Sequence, residues 1–341
     1  MRRWLILLAL LVVAGCGKET TEPAREIVVR TDDSAPRDTP DQQSRGVRIA
    51  SSRIVFVTHG QASDEFWTVV RRGLQDAGRQ TGAAVSYRAP DSFSIDRMRQ
   101  LIDQAVADHP DGLVVSVPDA EAVGPSIERA VAEGIPTITI NSGSDAFKRL
   151  GVLAHVGQPE YKAGVEAGRR LAQAGVRRAL CVNQESGNAG LDERCRGLQA
   201  GLRRSGGTVS PLSVPLQDAA TAQRRMSEAI TEGDVDGVVT LGPGAAKPAI
   251  DAVSASGPRS RITLATFDLS PEVLEAVRDG EMLFAVDQQP YLQGFLPVIL
   301  LAEQARHQVF PGKGSLIPTG PQFVTETNAE DVLRLSAEGV R

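Results

Sequence analysis

From Arg53 onward, short apolar runs alternate with amphipathic stretches, and this constrains the fold more than any other feature of the chain. The runs Ile54-Val55-Phe56-Val57, Ala84-Val85-Ser86-Tyr87, Gly112-Leu113-Val114-Val115, Thr137-Ile138-Thr139-Ile140 and Leu153-Ala154-His155-Val156 have the length and β-branched content of buried strands. Between them, about 66–81, 95–108 and 120–133 have helical periodicity. Phe66, Val69, Val70, Leu74 and Ala77 fall on one helical face, as do Met98, Leu101, Ile102, Ala105 and Val106. Gly82 and Gly134, the latter followed by Ile135-Pro136, supply stop signals. The alternation restarts at Arg178-Ala179-Leu180-Cys181-Val182. Further strands are predicted at 207–209, 236–239, 262–266 and 283–286, with helices over about 191–204 and 290–306. Such alternation yields right-handed βαβ units and parallel sheets covered on both faces. The fold class expected is α/β, with two doubly wound Rossmann-like lobes and a ligand cleft between them. In open sheets of this kind ligands bind beyond the carboxyl ends of the strands. A length of 341 residues suits two such units, although no residue-level repeat relates them.

The segment before Arg53 has a different character. Met1-Arg2-Arg3 is basic, Trp4 to Val13 is apolar, and Val13-Ala14-Gly15-Cys16 places small residues before a cysteine. These are the three regions of a secretory signal, and the apolar run is shorter than the roughly 20 residues a spanning helix needs. The pattern resembles a bacterial lipobox, which implies cleavage after residue 15 and lipidation of Cys16. Residues 16–52 are polar and charged, with Ile27-Val28-Val29 the one short exception, and form a disordered tether by composition. About 35 flexible residues reach roughly 30–35 Å. With Cys16 assigned, Cys181 and Cys195 form an even pair in an exported chain, either disulfide-bonded or two buried thiols.

Net charge is −5, and the many arginines are scattered rather than clustered, which argues against nucleic acid as a partner. The sequence has no HExxH, no GxSxG elbow and no GxGxxG after the first strand. Pro311-Gly312-Lys313-Gly314-Ser315 lacks the spacing of a phosphate loop and reads as a surface turn. No enzyme activity, cofactor or metal is expected.

The predicted strand ends carry a recurrent chemistry. His59 follows the first strand, with Asp64, Phe66 and Trp67 just beyond it. Asn141 and Ser142 follow the fourth strand, and Asn183 ends the first strand of the second half. Arg194 lies on the next helix, and Asp268 and Gln288 follow later strands. Amides, carboxylates and one guanidinium can pair with hydroxyls, and aromatic faces can cover the C–H face of a sugar ring. Each residue also has a structural role open to it. Asn141 and Asn183 could cap turns, and Asp64 and Asp268 could cap helices. Trp67 could be core, since Phe66 and Trp67 cannot share one helical face. His59 could be structural, and Arg194 could be a solvated helix residue.

Over about residues 53–330 the chain resembles the ribose-binding-protein group of periplasmic binding proteins, type I fold. The segments that carry the resemblance are Phe66-Trp67, His109-Pro110-Asp111-Gly112 leading into Leu113-Val114-Val115, and Ala132-Glu133-Gly134-Ile135-Pro136-Thr137. Glu193-Arg194-Cys195-Arg196-Gly197-Leu198, Thr266-Phe267-Asp268 and Asp287-Gln288-Gln289-Pro290 complete them. The resemblance implies stacking aromatics at Phe66 and Trp67, polar contacts at Asp64, Arg194 and Asp268, and a hinge glutamine at Gln288. Asn141-Ser142 stands where the family carries a charged pair, and no second-lobe aromatic stands near Asp218-Ala219-Ala220. The family topology implies a three-stranded hinge, with crossings near 157–159, 288–290 and 321–324. It also implies an N-terminal lobe of 53–157 plus 290–321 and a C-terminal lobe of 158–289 plus 322–341. The function implied is a lipid-anchored, monomeric receptor outside the cytoplasm that closes on a small sugar or polyol and delivers it to an ABC permease. Alternatives of the same fold are a sensory receptor signalling to a membrane kinase or chemoreceptor, and a transcription repressor. The repressor would need an N-terminal helix-turn-helix in place of the lipobox. Removing Arg194 or Asp268 is expected to cost affinity more than stability.

Overall fold

The computed structural model describes residues 51–60, 64–215, 217–257 and 262–341; the expected signal, Cys16 and nearly all of the tether lie outside them. The first run of elements is β1 (Arg53–Val57), α1 (Glu65–Thr81), β2 (Ala84–Arg88), α2 (Ile95–Ala107), β3 (Gly112–Ser116), α3 (Ala120–Ala132), β4 (Thr137–Ile140) and β5 (Ala154–Gly157). A second follows with α4 (Glu160–Gln173), β6 (Arg178–Asn183), α5 (Ala189–Arg203), β7 (Thr208–Ser213), α6 (Ala219–Glu232), β8 (Gly237–Thr240), α7 (Pro243–Ala255), β9 (Thr263–Phe267), α8 (Pro271–Arg278) and β10 (Phe284–Asp287). The chain ends in α9 (Pro290–His307), β11 (Ser315–Pro318), β12 (Gln322–Val324) and α10 (Ala329–Ser336).

Local chemistry sets many of these boundaries. Asp64, Ser94 and Asp119 accept backbone N–H bonds at the starts of α1, α2 and α3, and Gly82 ends α1 in the left-handed region at φ 68°. β7 runs through Pro211, which a ladder tolerates because β7 is an edge strand. The segment 311–314 forms the expected turn and leads into β11.

Two six-stranded sheets result. Their orders are β11-β5-β4-β3-β1-β2 and β12-β10-β9-β8-β6-β7, parallel throughout except for β12 against β10. Each sheet is covered on both faces. Apolar clusters centred on Met98, Leu101 and Ile127 and on Phe56, Leu74 and Val298 flank the first. Clusters centred on Met226, Leu274 and Val277 and on Leu171, Leu198 and Phe267 flank the second. The chain passes between the sheets three times: from β5 to α4, from β10 to α9, and from β11 to β12. The architecture is the two-lobed α/β fold expected. Cys181 on β6 and Cys195 on α5 form a disulfide with Cα atoms 5.8 Å apart, so α5 is stapled to the strand that precedes it.

After each of the first two crossings, the entering helix packs on the first helix of the sheet it joins, and glycines let the backbones touch. α9 meets α1, where a Cβ at Gly294 would stand 2.0 Å from the Val70 carbonyl oxygen and one at Gly73 2.1 Å from that of Tyr291. α4 meets α5, where Gly164, Gly168, Gly197 and Gly201 all face carbonyl oxygens at 2.2–2.4 Å in the same sense. Glycine ordinarily weakens a helix by roughly 0.5–1 kcal/mol relative to alanine. Here it permits a contact that no side chain fits. Gly168→Ala is therefore expected to destabilise the protein by about 1–3 kcal/mol despite its better helix propensity, because the new methyl meets backbone that cannot yield. Urea denaturation of the variant against the parent measures this, and equal or greater stability would refute close backbone packing of α4 on α5.

Candidate functional site: the cleft between the sheets

The carboxyl ends of both sets of strands face one another across a cleft. His59 follows β1 and Asn141 follows β4, while Asp64, Phe66 and Trp67 occupy the first turn of α1 and the residue before it. From the other sheet come Gln184, Glu185 and Asn188 after β6, Arg194 on α5, Leu241 and Gly242 after β8, and Asp268 after β9. Gln288 stands at the second crossing. Together these enclose an inner cavity of about 30 Å³. The side chains in it are mostly hydrogen-bonding, and two rings, Phe66 and Trp67, meet edge to face with centroids 4.9 Å apart.

Asn141 and Asp268 occupy matching places after the third strand in each sheet order, and both adopt the left-handed region, at φ 59° and 67°. Asn and Asp are the non-glycine residues that tolerate this conformation best. The turn aims both side chains at Gln288, whose Nε2 donates to Asp268 Oδ1 at 2.7 Å and whose Oε1 accepts from Asn141 Nδ2 at 3.2 Å. Gln293 of α9 donates to the same Oε1 at 2.9 Å. One crossing residue thereby joins the two sheets and α9.

Other bonds bridge the cleft. The Ala189 N–H donates to the Pro118 carbonyl at 2.8 Å, and Ser142 Oγ donates to Asn188 Oδ1 at 3.0 Å. Asn188 Nδ2 lies 3.2 Å from His59 Nε2 and donates to Glu185 Oε2 at 2.7 Å. His59 Nδ1 is held by Ser116 Oγ at 2.8 Å.

The charged centre is Arg194, only 2% exposed. Its Nε and Nη2 donate to the two oxygens of buried Glu160 at 2.6 and 3.0 Å. Its Nη1 donates to the Leu241 carbonyl at 3.0 Å and lies 3.6 Å from Asp268 Oδ2. The guanidinium also covers the Phe267 ring at 4.8 Å. Burial opposes its charge, but the carboxylates of Glu160 and Asp268 outweigh burial and keep it protonated. Burial is the main cause that pushes the Asp268 carboxyl up to about 7, with Arg194 and Gln288 offsetting only part of it. Burial, then the charge of Glu185, pushes Asp64 up to about 6. Glu185 is also raised by burial, but its hydrogen bond and charge interaction with His59 and the Asn188 amide bring it below the ordinary value.

The structure brings together His59, Asp64, Phe66, Trp67, Asn141, Arg194, Asp268 and Gln288. It does not bring in Asn183 or Ser142. Asn183 caps its own turn, accepting from Glu185 N at 2.8 Å and donating to Asp192, and Ser142 bonds Asn141 and Asn188 beside the cavity. Phe66 and Trp67 both line the cavity and both belong to the buried core cluster around Phe56 and Leu74, so the core role open to Trp67 is realised together with its place at the cleft. Asp64 caps α1 and lines the cavity at once. Asp268 caps no helix, since Ser270 caps α8. Arg194 is not a solvated helix residue. Gln184, Glu185, Asn188 and Glu160 are not among the residues chosen from the sequence, although the first two stand with Asn183 at the end of a predicted strand.

Because Glu160 is 1% exposed, Arg194→Met leaves a buried carboxylate without its cation and is expected to cost roughly 3–5 kcal/mol of stability. The expectation that affinity suffers more than stability is thus reversed for Arg194, and thermal unfolding of the variant checks it. Asp268 gives a pH signature. Its pKa is raised on folding, so its contribution is fully present below about 3.8, the unfolded value, and is lost as pH rises through about 7. Asp268→Asn should therefore gain stability relative to the parent on going from pH 5 to pH 8, by on the order of 2–3 kcal/mol. A pH-independent difference would contradict the burial of an unneutralised carboxyl.

Comparison with known proteins agrees with this geometry. A family model described as "Periplasmic binding protein domain" matches residues 54–308. The crystal structure of a carbohydrate transporter from Acidothermus cellulolyticus 11B in complex with myo-inositol is 33% identical. It superposes with a TM-score of 0.80 over 85% of this chain and 100% of that one. The xylose/arabinose-binding protein XylF of Sulfolobus acidocaldarius is 26% identical over 83% of this chain and 73% of its own length. The ribose import binding protein RbsB of Bacillus subtilis is 24% identical over 74% and 79%, respectively. On the match of the family model and this structural likeness, the chain belongs to the periplasmic binding protein domain family.

Proposed function

We propose that this protein is a solute receptor outside the cytoplasm that captures a sugar or polyol between its lobes and delivers it to an ABC importer. The observation that carries this reading is the convergence of hydrogen-bonding side chains and two aromatic rings from both sheets on one cleft beside three chain crossings. Planar amides and carboxylates pair with adjacent hydroxyls, and Trp67 and Phe66 offer apolar faces to C–H groups. Relatives named for xylose, arabinose and ribose, and the structure holding myo-inositol, support a hydroxyl-rich ligand.

The crossings act as a hinge between lobes of 53–157 plus 290–321 and 158–289 plus 322–341. Ligand pockets ordinarily span about 300–1,000 Å³, far more than the inner cavity of about 30 Å³, so binding requires the lobes to part and close again. The bonds from Asn188 to His59 and Ser142, and from Ala189 to Pro118, would break on opening, and a ligand bridging the cleft would then favour closure around it. Among the described residues no helix is long and apolar enough to cross a membrane. Retention at the membrane is assigned to lipidated Cys16, with the tether giving the receptor reach toward a permease.

A thermal-shift screen of the purified protein against sugars, polyols and nucleosides tests the ligand class. A true ligand at about 100 times its Kd should raise the midpoint by about 5 °C or more. With that ligand, Trp67→Ala should weaken binding about ten-fold or more by calorimetry, as loss of a buried aromatic contact predicts. A shift given by nucleosides alone, or unchanged affinity in the Trp67 variant, would contradict the reading.

A further inference from the structure

We infer that the preferred ligand is a sugar or polyol bearing a protonated amine, held between Asp64 and Asp268 with Gln184 as a third acceptor. This rests on the sugar and polyol reading above and adds the charge of the ligand to it.

The charge balance of the cleft is one-sided. Asp64, Glu185 and Asp268 line the cavity and Glu160 lies directly behind Arg194, against which stand Arg194 itself and His59. Arg194 gives three of its five N–H groups to Glu160 and the Leu241 carbonyl, and its Nη1 lies 3.6 Å from Asp268 Oδ2. His59 is fixed by Ser116 and Asn188, and its Nε2 lies 3.5 Å from Glu185 Oε2. Asp268 shares Arg194 with Glu160, and Asp64 pairs with no arginine or lysine among the described residues. Asp64 Oδ1 is used by the α1 cap, while Oδ2 accepts no hydrogen bond among the described residues. Gln184 Oε1 is buried without any donor. Beside these acceptors the cavity holds donors without a hydrogen bond among the described residues, Trp67 Nε1 and Gln184 Nε2, so it is the excess of carboxylates over cations that favours an ammonium group, three donors with a positive charge and no acceptor. A neutral hydroxyl supplies one donor and leaves the buried negative charge uncompensated, and a carboxylate ligand adds to it.

The approach to the cavity has the same sign. A chamber of about 570 Å³ shares Asp64 and Pro243 with the inner cavity and carries Glu65, Asp251 and Glu272. Its one lysine, Lys247, is paired with Asp251 at 3.0 Å. A cation is drawn along such a path and an anion repelled from it. The upward displacement of both the Asp64 and Asp268 carboxyls, with burial as its main cause, is the consequence expected of anions whose counter-charges compensate them only in part.

The test uses the purified full chain at pH 7 and titration calorimetry with matched probes: glucose and glucosamine, galactose and galactosamine, myo-inositol and an amino-deoxy-inositol, with glucuronate as the anionic control. At least one amine should bind about ten-fold or more tightly than its neutral parent, and glucuronate should bind more weakly than glucose. In Asp64→Asn/Asp268→Asn that preference should fall to about three-fold or less. Asparagine keeps the α1 cap and tolerates the left-handed turn, and the melting midpoint verifies folding. Neutral parents binding as tightly as their amines, or a preference unchanged in the double variant, would overturn the inference while leaving the polyol reading intact. Absence of binding by every probe would overturn both.

Discussion

The buried guanidinium of Arg194 organises the second half of the molecule and the cleft together. Its bonds reach the start of α4, immediately after the first crossing, and the carbonyl at the end of β8, and its charge reaches the turn after β9. A charge this deep is tolerable only with close partners, and Glu160 supplies both charge and geometry through two hydrogen bonds. The disulfide one residue along α5 pins the same helix to β6. The cation is thereby held rigidly in place, and Asp268 is left sharing it at longer range.

Gln288 carries this order from one sheet to the other. Through Asp268 it feels the Arg194 cluster, and through Asn141 and Gln293 it reaches the first sheet and the helix that returns to it. This one side chain stands at a crossing, bonds residues of both sheets and borders the cavity. The bonds from Asn188 to His59 and Ser142 form a second, more peripheral clasp.

Much of the fold was legible because buried parallel strands and amphipathic helices write different periods into the sequence. Every strand predicted from Arg53 to Val286 lies on an observed one, and the stop at Gly82 marks the end of α1. β11 and β12 were not found as strands, being short, half-exposed segments without a distinctive apolar pattern. α4 was missed because its inner face is made of Ala163, Gly164, Ala167 and Gly168 rather than large apolar residues. The stacking of α4 on α5 and of α9 on α1 was invisible for the same reason, since glycine in a helix reads as a weakness until a partner backbone lies against it.

The site divides along a similar line. The sequence alone determined that polar residues cluster at strand ends and that those ends belong to two units, because βαβ chirality places every such end on one edge of its sheet. It thereby marked His59, Asp64, Phe66, Trp67, Asn141, Arg194, Asp268 and Gln288. Which of these are free to meet a ligand was decided only by the tertiary structure. Asn183 turned back to cap its own turn, Asp64 kept one oxygen for α1 and left the other, and Arg194 was claimed by Glu160, which lies 34 positions away in sequence. A residue's hydrogen-bonding capacity is local, but whether that capacity is already used depends on neighbours from distant segments, and these meet only when the chain has crossed between its sheets.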